Sequence, residues 1–136
     1  MNGYQYVALR CVPRVDREEF VNVGVVLYCH AADFLGSASL INEDRLRSLD
    51  PGTDVEAVRR ALAAVESVCR GEAHLDFGIG SRATAYGVRV GRDDQSTRFG
   101  FLRAPRSTVV QPGPVHGGLT DDPAAELDRL LVALVG

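Results

Sequence analysis

Residues 19–29 read Glu-Phe-Val-Asn-Val-Gly-Val-Val-Leu-Tyr-Cys, and their alternation decides the fold. Successive residues of an extended chain point to opposite faces. Val21, Val23, Val25, Leu27 and Cys29 therefore fall on one side, with Phe20, Asn22, Gly24, Val26 and Tyr28 on the other. The first set is wholly apolar and the second mostly so, which predicts a central strand. Ahead of it, residues 4–12 (Tyr-Gln-Tyr-Val-Ala-Leu-Arg-Cys-Val) concentrate aromatic and β-branched types and predict a strand closed by Pro13. Behind it, residues 33–41 predict a weaker third strand, in which Leu35 and Ile41 flank Ser37 and Ser39. Connections this short favour an antiparallel meander.

Helical period takes over after residue 42. Asn42-Glu43-Asp44 opens a short helix ending near Leu49, and Pro51-Gly52 breaks the chain. Thr53-Asp54-Val55-Glu56 has the form of a capping box. From there Val55, Val58, Leu62, Val65 and Cys69 recur at three- and four-residue spacing, predicting a helix over 53–70 that Gly71 ends in a left-handed cap. Residues 72–97, punctuated by Gly78, Gly80, Gly87 and Gly91, predict a mobile connection in which only 85–90 has strand character. Extended patterns resume over 98–111. Asp121 or Asp122 caps a last helix over 122–135, with Pro123 in its first turn and Leu127, Leu130, Leu131 and Leu134 on its buried stripe. The expected fold is α+β, one domain with an antiparallel sheet of four or five strands and two main helices packed on one face.

Composition excludes more than it identifies. With 136 residues, 46% of them apolar and 24% charged, the chain suits one globular domain burying ~68% of its unfolded surface. A net charge of −3 argues against nucleic acid as a partner, and no apolar run is long enough for a membrane span. All 15 basic side chains are arginine. Lacking lysine, the chain has no Schiff-base nucleophile, no pyridoxal-phosphate anchor and no Walker lysine. No cofactor is expected. Cys11, Cys29 and Cys69 lie singly in apolar runs and read as buried free thiols in a reducing, cytoplasmic setting. His30, His74 and His116 show no ligand spacing with each other or with cysteine, so no metal site is expected.

Two stretches carry a resemblance. Tyr4-x-Tyr6 through Arg10, followed by Glu19 to Val25, resembles the N-terminal signature of a bacterial family, domain of unknown function 3037. Residues 104–112 (Ala-Pro-Arg-Ser-Thr-Val-Val-Gln-Pro) and Val115-His116-x-Gly118-Leu119-Thr120 are similar to that family's C-terminal signature. The resemblance implies no established activity. It does imply a partner, because genes of the family often neighbour a kinase related to the HipA toxin. Gly113 and Gly117 stand where the family commonly has serine and threonine, which removes two potential hydroxyl ligands.

Chemistry concentrates between Arg103 and Asp122, where three prolines stiffen a segment bearing Arg106, Ser107, Thr108, Gln111 and His116. One reading makes it a preorganised site for a phosphate or carboxylate, with Arg106 and Arg10 binding charge and His116 as acid or base. The other makes the same groups caps and turns around an irregular strand exit. Arg10 and Glu18 or Glu19 could pair across adjacent strands, or Arg10 and Glu19 could reach the pocket of His116. Asn22 could cap a turn or contact a ligand, and Gly24 permits a bulge or a close backbone approach. The expected function is a non-catalytic binding or accessory module that docks on a HipA-like kinase through residues 103–120. The alternative is a small enzyme using the arginine and histidine set.

Overall fold

The computed structural model describes residues 1–72, 94–106 and 108–136. Their elements run β1 (Asn2–Cys11), β2 (Val21–Cys29), β3 (Phe34–Ser39), α1 (Glu43–Leu49), α2 (Val55–Cys69), α3 (Gln95–Leu102), β4 (Val110–Pro112), β5 (His116–Thr120) and α4 (Pro123–Leu134). All strand pairings are antiparallel, in the order β3-β2-β1-β4, with β5 also on β1. The α+β class and the five-stranded sheet match the sequence reading. The fourth position in the sheet is shared: β4 pairs with Leu9–Cys11 and β5 with Asn2–Tyr6 of the same strand.

The helices divide between the two faces, so the expectation that both main helices share one face is corrected. Val25, Leu27 and Cys29 pack with Tyr4 and with Leu127 and Leu130 of α4. Val26 packs oppositely with Val58 and Leu62 of α2 and Phe99 and Leu102 of α3. A strand apolar on both sides demands cover on both sides. A bulge also redistributes β2: Leu9 faces Gly24 while Arg10 faces Asn22, leaving Val23 as the extra residue. Val21 and Val23 consequently join the α2 side rather than lining up with Val25, Leu27 and Cys29. Gly24 is fixed by the crowding there, since a β-carbon would sit 2.9 Å from the Ala38 carbonyl and 3.3 Å from Leu9 Cδ1.

Helix ends follow the expected chemistry, with one exchange of roles. The Asn42 and Asp122 side chains accept from the amides of Arg45 and Ala125. At α2 the cap is Asp54, accepting from Ala57, while buried Thr53 turns its hydroxyl to the Asp50 carbonyl at 2.6 Å. Gly71 takes φ +73° after α2, the left-handed stop its position predicted.

Residues 98–102, read as extended, are helical. Asp94 caps α3 through the Thr97 amide, and Phe99 and Leu102, three apart, are the residues it buries. The strand character expected for 85–90, and most of the connection over 72–97, lie outside the described residues. None of the described helices is long and apolar enough to cross a membrane.

Candidate functional site

The segment approaching α4 does fold back along β1, but it splits the expected residue set between several places. His116 lies opposite Tyr6, their ring centroids 5.4 Å apart, and its side chain is exposed. Arg106 turns inward instead. Its Nη2 donates to the Phe101 carbonyl, Nε reaches the Ala104 carbonyl at 3.4 Å, and the guanidinium lies 4.6 Å from the Phe101 ring centroid. Burial lowers its pKa from the usual arginine value. These contacts hold it at the carbonyl end of α3. Thr108 donates to the Val110 carbonyl at 2.7 Å, and Gln111 Nε2 to the Thr108 carbonyl at 2.8 Å. Ser107 lies outside the described residues.

The strands' register brings together the two stretches that carry the sequence resemblance. Tyr4 faces Gly118 and Tyr6 faces His116, so Tyr4-x-Tyr6 meets His116-x-Gly118 residue for residue. The Tyr4 ring lies over Gly118 so closely that a β-carbon there would come within 2.6 Å of its hydroxyl and 2.7 Å of Cζ. That hydroxyl donates to the Glu126 carboxylate on α4, which also accepts from Arg129 at 2.9 and 2.6 Å. Arg129, then Tyr4, holds the Glu126 carboxyl down at about 2.

Arg10 occupies the other end of the same face. It stands between Asn22 of β2 and Gln111 of β4 in register. Asn22 donates to the Leu134 carbonyl at 3.2 Å and so caps α4. Glu19 lies ahead of β2 and pairs with Arg17 at 2.7 Å in solvent rather than with Arg10. The Arg10 guanidinium lies 4.1 Å from the Phe20 ring centroid and against Gly113, where a β-carbon would come within 3.1 Å of Nε. Glycine at 113 thus makes room for the arginine. Among the described residues Arg10 has no ion-pair partner, and its Nε is buried without an acceptor. Leaving such a donor unpaired costs about 1–3 kcal/mol.

Around it opens a cavity of about 280 Å³ lined by Arg10, Val12, Val15, Glu18, Phe20 and Gln111. A turn at Arg14 to Glu18 builds its rim: the Arg17 and Glu18 amides both donate to the Arg14 carbonyl, at 3.0 and 3.1 Å. Glu18 closes it at φ +58°, an uncommon value for a residue bearing a β-carbon. The sequence pointed to Arg10 and Gln111 but weighed Glu18 only as a partner for Arg10 and treated Phe20 as an ordinary strand residue. The signal available was Phe20 itself, a large apolar side chain next to the charged stretch 14–19. No group of three or more histidine, cysteine or acidic side chains among the described residues is placed to hold a metal ion.

The fold and site therefore define a class: an α+β protein with a helix-covered antiparallel sheet and a small arginine cavity at one end of a central strand. The chain belongs to the DUF3037 family, described as proteins of unknown function, whose model matches residues 6–135. No curated protein and no solved structure matches the chain.

Proposed function

We propose that the protein is a non-catalytic binding module whose recognition site is the Arg10 cavity, and that its partner is a HipA-like kinase. The observation that carries this reading is the Arg10 guanidinium, without an ion-pair partner among the described residues, at a cavity whose rim exposes 43% of Phe20 and 45% of Val15. An arginine held on an aromatic face, surrounded by exposed apolar side chains, has the make-up of an interface anchor. The kinase is suggested by the gene neighbourhood that membership of the family implies. Docking through the whole of residues 103–120 narrows accordingly to Gln111 and the residues it faces on β1.

The enzymatic alternative required Arg10, Arg106 and His116 around one ligand. Arg106 is committed to the end of α3 and His116 lies beside Tyr6, neither of them lining the cavity. Co-expression with the HipA-like kinase and capture of either protein tests the docking reading. Wild type is expected to retain the kinase at micromolar concentration, and Phe20→Ser to lose it with an unchanged melting temperature. Two proteins that migrate separately refute the reading.

A further inference from the structure

The lining of the Arg10 cavity specifies more than a generic anion. Resting on the docking reading above, we propose that it receives the C-terminal residue of the partner polypeptide, with the carboxylate on Arg10 and an apolar side chain against Val12, Val15 and Phe20. Three observations select this occupant. The first is size. A cavity of about 280 Å³ has room for about nine waters, enough for one amino-acid residue and below the range of nucleotide or cofactor sites.

The second is charge. Arg10 and Glu18 line the same space, yet no ion pair joins them among the described residues. A doubly charged phosphate would gain at Arg10 and lose at Glu18. A singly charged carboxylate matches the single charge of the Arg10 guanidinium and leaves Glu18 free to accept from the backbone amide of the same terminal residue. The third is the apolar lining. Val12, Val15 and Phe20 adjoin the arginine, and a terminal residue carries its side chain one bond from the carboxylate-bearing carbon. An internal aspartate or glutamate places its carboxylate at the end of its own stem and brings no apolar group to cover the three. Terminal-carboxylate capture is an established mode of peptide recognition, here built from side chains on a strand and its flanking turn.

The test is a titration of the whole chain, ¹⁵N-labelled, read at the Arg10 Nε–H resonance. Four probes are compared: N-acetyl-leucine, N-acetyl-leucinamide, N-acetyl-aspartate α-amide and inorganic phosphate. N-acetyl-leucine is expected to shift that resonance saturably, and N-acetyl-leucinamide to bind at least about tenfold more weakly. The aspartate derivative and phosphate are both expected to bind more weakly than N-acetyl-leucine. Arg10→Gln should remove the preference for acid over amide, and the wild-type comparison stands even if that variant fails to fold.

Equal or tighter binding by the leucinamide, the aspartate derivative or phosphate overturns the inference. So does an N-acetyl-leucine response that fails to saturate by about 50 mM. If the probes fail while Phe20→Ser still abolishes kinase capture, the terminal-residue inference falls and the docking reading survives. If capture persists in Phe20→Ser, the docking reading falls whatever the probes do.

Discussion

Gly118 shows how a single missing side chain couples two distant parts of the chain. Its absent β-carbon is the space in which Tyr4 lies, so Gly118→Ala must displace a ring whose hydroxyl is already committed to Glu126. Rings tethered at their far end cannot swing aside cheaply. The expected cost is about 1–3 kcal/mol, measured by urea unfolding. Tyr4→Phe, which keeps the ring and removes the hydroxyl, should cost about 1 kcal/mol. In a Tyr4→Ala background the Gly118→Ala penalty should largely vanish, because the clash has no second party. Arg106 offers the opposite lesson, that a conspicuous charge can be structural. Arg106→Ala should destabilise the protein by about 1–2 kcal/mol through the end of α3 and leave binding at Arg10 unchanged. A binding defect at constant stability would show that Arg106 reaches the ligand after all.

Elements were legible in the sequence where one physical signal dominated. β1, β2 and α2 follow from unbroken period and strong composition, and α4 from its cap, proline and leucine stripe. Those that eluded it were decided by partners rather than by local preference. β5 is His-Gly-Gly-Leu-Thr, a poor strand former that pairs because β1 offers a free edge and Tyr4 covers its glycine. α3 mimics a strand through Phe99 and Phe101, yet the residues it buries are Phe99 and Leu102. The Val23 bulge turned a clean alternation into two half-faces, which no period-two count anticipates. For the site, the register placed Arg10 beside Gln111 as the sequence allowed, whereas the inward turn of Arg106 depends on a carbonyl whose position only the folded helix creates.

The attachment of α4 has a pH signature. The Glu126 carboxyl is held at about 2 against an ordinary 4.5, so its folded form favours the charged state. The stability this contributes is complete above about pH 4.5 and is lost as pH falls from there toward 2. In thermal melts across that range, Glu126→Gln should show a shallower decline than wild type, with lower stability at neutral pH. Parallel curves for the two proteins would show that the carboxylate contributes nothing to the acid response.

On the scale of the whole molecule, the sheet is closed by segments from the two ends of the sequence. Tyr4 and Glu126 are 122 positions apart, and β1 is flanked on one side by a hairpin neighbour and on the other by strands beginning at Val110 and His116. Pairings that span so much chain carry a large loop-closure entropy before they return any contact. Stopped-flow refolding is accordingly expected on a millisecond-to-second scale. Microsecond refolding would mean that the β1–β5 pairing forms through a local route.

The shared fourth position of the sheet also sets an order of events during synthesis. The outer edge of the first strand stays bare, with its amides and carbonyls open to other chains, until more than a hundred further residues have left the ribosome. A growing chain held in that state would be most vulnerable to intermolecular β-pairing along β1.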